Sequence, residues 1–227
     1  TDFTTAVPDH QEAWGPTRQS ASAVLAGGIP RGGRVIVPAV LQGDRCLAGL
    51  FAGRSCAVVF ADPVENVEPG FHAANLGLAL AAAKSLGLET GSALKAMRAI
   101  GQDRYDFRVV EHGGAELAMA FSVNDITSTR GLFRSLRWPK EDTRLVYNHR
   151  RDRHARFSSF IDWMKHPGWR EVLVIGDRPS ALPSAARYLK TRDAQGLLGQ
   201  FLPGERIFGC GNIAGLPLSL YEKELLA

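Results

Sequence analysis

The sequence predicts an α/β protein built on a largely parallel sheet with helices on both faces. Two observations carry this. From about residue 104 onward, short apolar runs alternate with amphipathic stretches of helical length, the pattern of strand–helix–strand units. The runs "LVY" (145–147) and "VLVI" (172–175) are also apolar at consecutive positions, as strands buried on both sides require.

Taken in order, "PTRQSASAVLAG" (16–27) reads as a helix with proline near its start, "GRVIVPAV" (33–40) as a strand, and "CAVVFAD" (56–62) as a strand ended by Asp-Pro. In "FHAANLGLALAAAKSLGLETGSALKAM" (71–97), Leu76, Leu80, Ala83 and Leu86 recur at helical spacing. Gly87 stops that helix, and a second one starts after Thr90. Later strands are expected at 107–112, 117–123, 143–148, 171–176 and 205–209. Helices are expected near 127–137, 155–165, 180–191 and 214–226.

Composition bounds the class. The 227 residues are 45% hydrophobic and 22% charged, enough for one large or two modest domains with a real core. The net charge of +4 gives no general polyanion-binding character, so basic clusters are local. Three cysteines, Cys46, Cys56 and Cys210, without a C-x-x-C pair, read as reduced thiols in a cytosolic setting rather than a disulfide framework or zinc knuckle. There is no run of eighteen apolar residues and no signal-peptide pattern.

Ligands of open α/β sheets bind outside the carboxyl ends of the strands. Those positions hold "NDITST" (124–129), Asn148 followed by "HRRDR" (149–153), "DRPS" (177–180) and "CGNIAG" (210–215). Arginine offers a rigid donor fork to phosphate or carboxylate, a Ser/Thr-rich helix start offers hydroxyls and free N–H groups, and glycine permits close approach. Each cluster also has a plain structural reading, as a helix cap, a solvated helix start or a simple turn. Their shared placement favours a functional edge. His10, in "PDHQEAWG", could coordinate a metal or cap a helix, and Asn75 sits in the first turn of a long helix.

In order, "DH…G" near the start, "GFHAANLGLALAAAKSLGLE…ALKAM", "AFSVNDITST", "NHRRDRHARF" and "GCGNIAG" resemble the catalytic ligase subunit of poly-γ-glutamate synthase (PgsB/CapB type), a branch of the Mur ligase superfamily. The resemblance runs over nearly the whole chain. It implies the end of a P-loop-type central ATPase domain (1–69), a helical connector (70–103) and a Rossmann-like C-terminal ligase domain (104–227). It implies an ATP- and Mg²⁺-dependent ligase forming glutamyl amide bonds through an acyl phosphate. By this analogy His10 lies near the metal, and Asn75, Asn124, Asp125, Ser128 and Thr129 near the nucleotide. Asn148 and Asn212 contact substrate, and Arg150 and Arg153 hold its anionic groups with Asp152 orienting them.

The sequence departs from that pattern in three respects, the first being that the acidic metal-binding motif expected ahead of the opening segment is missing. No Gly-Lys dipeptide occurs, so the loop that cradles the β- and γ-phosphates is missing. Met119 stands near where many Mur-type ligases carry an acid for the ribose. The chain is therefore expected to be the C-terminal portion of such an enzyme, inactive without an N-terminal P-loop segment or chain. The resemblance further implies glutamate or polyglutamate as substrate and a homo-oligomer. It also implies a cytoplasmic location at the inner face of the membrane, with integral-membrane subunits of a polymer synthase. Three rival readings are a non-catalytic nucleotide- or acidic-polymer-binding module, an N-terminal-nucleophile hydrolase using Thr1, and a nucleic-acid binder using 147–157. Only Tyr147 and Phe157 flank that basic run, too few aromatics for base stacking, so no nucleic-acid partner is expected.

Overall fold

The computed structural model describes residues 1–4, 11–65, 72–100, 103–165, 167–191 and 193–222. The chain divides into two units, Thr1–Gln102 and Asp103–Ala227.

The first unit holds α1 (Gln11–Trp14), α2 (Arg18–Gly27), β1 (Arg34–Pro38), α3 (Arg45–Ala52), β2 (Ala57–Ala61), α4 (Ala73–Ser85) and α5 (Thr90–Ala99). β1 and β2 pair in parallel. Thr17 and Ser20 close a reciprocal capping box on α2, so the helix starts just after Pro16. Asp44 caps α3 by accepting from the Leu47 N–H, which makes a helix of a stretch the sequence reading left unassigned. Phe3, Ile29, Val35, Val37, Leu47 and Phe51 form the core on one side of the strands. On the other side Ile36 and Ala61 meet Leu78 of α4. A Cβ at Gly77 would fall 2.0 Å from the Asp62 carbonyl oxygen, so glycine is what lets α4 come this close to the end of β2. The expected helical connector thus packs its first helix on the two strands inside the same unit.

The second unit contains β3 (Arg108–His112), β4 (Ala115–Met119), α6 (Ile126–Ser135), β5 (Thr143–His149), α7 (His154–Lys165) and β6 (Glu171–Gly176). β7 (Ala186–Tyr188), α8 (Ala194–Leu198), β8 (Arg206–Cys210) and α9 (Leu216–Glu222) complete it. The sheet order is β3-β4-β8-β5-β6-β7, with every pairing parallel except β3 with β4. The predicted mostly parallel α/β architecture is therefore the one observed. Side chains alternate between two cores, as strands buried on both faces must. Val146, Leu173, Ile175 and Ile207 pack under α8 and α9, while Leu145, Tyr147, Val172, Val174 and Phe208 pack under α6 and α7. Trp163 anchors the second core edge-on to Phe133, Trp169 and Phe208.

Two expectations are corrected. β4 begins at Ala115 and stops at Met119, and with β3 it forms a hairpin turned by Gly113 and Gly114, whose φ angles of 59° and 80° are those of a two-residue turn. The helix expected at 180–191 does not form. Pro179 and Pro183 interrupt it, the Ala186 N–H closes a turn on the Pro183 carbonyl, and the chain extends as β7 instead.

Opposite ends of the sheet differ in chemistry. At the N-terminal edge, Glu205 is buried and takes ion pairs of 2.8 Å from both Arg144 and Arg170, while Arg144 also reaches Glu171 at 2.8 Å. A cavity of about 520 Å³ opens at that edge, lined by Glu116, Glu141, Asp142, Arg170, Gly204 and Arg206. Its carboxylates and guanidiniums are mixed in sign. The clusters singled out from the sequence lie at the other edge.

Candidate functional site

β4, β5, β6 and β8 run parallel, so their C-terminal ends share one edge of the sheet. The segments 120–125, 150–153, 177–180 and 211–215 all leave from it.

The turn after β5 is the most charged. The Arg153 N–H donates to the Arg150 carbonyl at 3.1 Å, which folds 150–153 into a tight turn ahead of α7. Within it Arg150 grips Asp152 with two donors, Nε to Oδ1 at 3.0 Å and Nη2 to Oδ2 at 2.6 Å. Arg153 Nε stands 4.0 Å from the same carboxylate. The hydrogen bonds from Arg150 hold the Asp152 carboxyl below its ordinary range, so it stays ionised at neutral pH. Arg150, Arg151 and Arg153 against one carboxylate leave the turn net positive, and a planar fork is well matched to phosphate or carboxylate oxygens.

That turn is braced from β6. The Arg151 N–H donates to Asp177 Oδ2 at 2.8 Å and the Asp177 N–H to the His149 carbonyl at 3.0 Å. His149 is buried, packs edge-on to Phe157, and hydrogen-bonds the Asp177 carbonyl through Nδ1 at 2.7 Å, so that nitrogen carries the proton.

The β8 turn is bound to the same edge. Asn148, at 2% exposure, donates both amide hydrogens, to the carbonyls of Asn212 at 2.7 Å and Ala214 at 2.9 Å. The Asn212 side chain in turn accepts from the Ala214 N–H. The glycines are needed for packing. A Cβ at Gly209 would fall 2.2 Å from the Phe121 ring, and one at Gly211 would fall 2.7 Å from the Asn148 carbonyl. Their space is filled by the protein's own atoms. Burial pushes the Cys210 thiol and the Tyr147 phenol far up, so both stay neutral.

After β4, Asp125 caps α6 by accepting from the Ser128 N–H at 2.8 Å, and the buried Thr129 hydroxyl donates to the Asp125 carbonyl at 2.7 Å. Asn124 and Ser128 are exposed beside them.

The model of the poly-gamma-glutamate synthase CapB C-terminal domain matches residues 105–224, more than half of the chain and nearly all of the second unit. The chain belongs to that family. Among solved structures, E. coli FolC in complex with DHPP and ADP superposes with a TM-score of 0.69 at 16% identity, covering 93% of this chain and 58% of FolC. The MurF ligase from Thermotoga maritima in complex with ADP gives 0.66 at 14% identity, covering 99% of this chain and 61% of MurF. The apo form of L. casei FPGS gives 0.61 at 14% identity, covering 98% of this chain and 59% of that one. At such identities the likeness is one of fold. The chain spans about three fifths of the length of these structures. No curated protein matches the sequence.

Within this CapB-type domain the sequence-derived candidates separate by environment. Arg150, Asp152 and Arg153 share one solvent-facing turn, and Asn124 and Ser128 are exposed at the same edge. Asp125 and Thr129 are engaged in capping α6, and Asn148 and Asn212 in tying β5 to the β8 turn. Asn75 is exposed in the first turn of α4 in the first unit. His10, the candidate metal ligand, lies outside the described residues. Sequence reading missed His149 and Asp177, whose mutual hydrogen bonds position the arginine turn. Their signal was position alone, since His149 ends β5 and Asp177 directly follows β6.

Proposed function

We propose that this chain is the C-terminal part of an ATP-dependent amide ligase that joins glutamyl units through an acyl phosphate, as in poly-γ-glutamate synthesis of the capsule type. The match of residues 105–224 to the poly-gamma-glutamate synthase model carries this reading. The folds of FolC and MurF, both solved with ADP, agree with it.

Arg150 and Arg153 hold the carboxylates of the incoming glutamate, Asp152 fixes the Arg150 fork, and the exposed Asn124 and Ser128 face the nucleotide. The fit differs between the two implied cofactors. An anion suits the donors of the 150–153 turn. For Mg²⁺, the described residues bring no three His, Cys, Asp or Glu side chains together, so no ligand set is assigned among them. When bound, ATP supplies the phosphoryl group that activates a carboxylate. What these residues contribute is positioning and charge stabilisation at the amine-accepting side.

The reading includes an N-terminal P-loop segment or chain, a homo-oligomer, and membrane subunits that place the ligase at the inner face of the membrane. No helix among the described residues is long and apolar enough to cross a bilayer.

ADP release with ATP, Mg²⁺ and glutamate tests the proposal, using the chain alone and then with a P-loop-bearing segment from the same source. Turnover only in the mixture, abolished by Arg153→Ala with the fold intact, is the expected result. Turnover by the chain alone would place a phosphate site in these 227 residues and overturn the division of labour. Nucleotide binding without turnover in either case would make the chain a non-catalytic module.

A further inference from the structure

We infer that Arg130, Arg134, Arg137 and Lys140 form a track that holds an acidic polypeptide along α6. On the reading above, which identifies the polymer, that polypeptide is the polyglutamate chain.

Residues 126–140 carry these four cations and no acid. Arg130, Arg134 and Arg137 are all exposed, and among the described residues none of them has a carboxylate at ion-pair distance. Elsewhere in this unit Arg144, Arg150, Arg170, Arg187 and Arg206 are each matched to an acid. Of those that are not, Arg151 and Arg178 stand singly, so the α6 set is distinguished by its spacing along one helix face. Arg137 follows the end of α6 with a φ of 55°, a conformation usual for glycine there, and still carries a guanidinium. Lys140 continues the row, its Nζ 5.0 Å over the Trp169 ring. Burial and the charge of Arg130 both lower the Lys140 pKa, so like charges are held near one another along this face.

The spacing suits a polycarboxylate. Arg130 and Arg134 are one helical turn apart, about 6 Å along the axis. In a γ-linked glutamate polymer five backbone bonds separate successive α-carbons, against three in an α-linked chain, so its α-carboxylates recur about every 6 Å when extended. The surroundings disfavour other polyanions. Trp169 is occupied by Phe133, Trp163 and Lys140, and Trp138 lies under Arg206, so neither is a free platform for a base. None of the large hydrophobics exposed among the described residues falls within 126–140, so nothing there would insert into a lipid surface. The direction also fits. α6 leaves from the candidate site at the end of β4 and runs to the opposite edge, where β5 begins. A polymer held at the site would be led away along the row.

The test uses the full chain, fluorescence anisotropy with a labelled oligoglutamate, and the triple variant Arg130→Gln, Arg134→Gln, Arg137→Gln. Each exposed guanidinium–carboxylate contact is worth up to about fivefold in affinity, so the triple change should raise Kd about tenfold or more, with unchanged circular dichroism. Binding by the unaltered chain should weaken steeply with added salt. Unchanged affinity in the variant overturns the track. So does tighter ridge-dependent binding of a single-stranded oligonucleotide of equal charge, or of vesicles of anionic lipid. Binding needs no catalysis, so oligoglutamate bound through the ridge without ADP release in the mixture would retire the ligase reading alone. ADP release with no ridge dependence would retire the track alone.

Discussion

Arg150 meets Asp152 two residues further on through two nearly parallel hydrogen bonds, of 3.0 and 2.6 Å, inside a single turn at the end of β5. The pair is local in sequence and solvent-facing, so its value lies in orientation more than in stability. A guanidinium fixed on one side by Asp152 has fewer orientations to lose when an anion arrives.

In the complete ligase, Asp152→Asn is therefore expected to raise KM for the amine substrate about tenfold, with a smaller effect on kcat. The folded-state pKa of Asp152 is depressed. Its ion-pair contribution is thus fully present above the ordinary carboxylate range and is lost only as pH falls through and below it. A pH–rate profile from about 5 to 9 should consequently show no limb that Asp152→Asn removes.

Asn148 is the buried bolt between β5 and the β8 turn. Asn148→Ala strands the carbonyls of Asn212 and Ala214, and the expected loss is about 2–4 kcal/mol. Urea unfolding followed by tryptophan fluorescence would measure it as a lowered midpoint at unchanged m. A variant as stable as the parent would show that water or rearrangement replaces the amide.

Gly209→Ala drives a methyl into the Phe121 ring and should destabilise the second unit by about 2 kcal/mol or more. Adding Phe121→Leu makes room and should recover part of that loss. Thermal unfolding of the single and double variants, read as a double-mutant cycle, checks the coupling. Additive losses would contradict the contact.

Glu205 neutralises Arg144 and Arg170 at the opposite edge of the sheet. Glu205→Ala removes the buried carboxylate shared by Arg144 and Arg170 and leaves the largely buried Arg144 with Glu171 alone, at an expected cost of about 2–3 kcal/mol. The same unfolding measurement applies. ADP release per folded molecule should be unchanged, because this network is remote from the 150–153 turn.

How much could be read from the sequence depends on how local the cause is. β5 and β6 were legible because "LVY" and "VLVI" announce burial on both faces, and the observed spans, Thr143–His149 and Glu171–Gly176, fall within a residue of the expected ones. The 150–153 turn was legible for the same reason, since it needs only a strand end and its own residues. Asn148 looks like a ligand residue in one dimension because its amide partners lie 64 and 66 residues away. The 180–191 segment misled through alanine-rich composition, although Pro179 and Pro183 already argued for an extended chain. The CapB-type motifs identified the family but could not tell an exposed Asn124 from a Thr129 whose hydroxyl is already engaged.

The place of β8 constrains how this unit comes into being. It is the last strand among the described residues, yet it lies between β4 and β5 and pairs with both. During synthesis the two earlier strands must wait with unpaired edges until residues 206–210 have left the ribosome, and only then can the two halves of the sheet join. A nascent chain halted before residue 206 should bind chaperones and resist refolding, and adding back "RIFGC" within a longer C-terminal peptide should complete the sheet in trans.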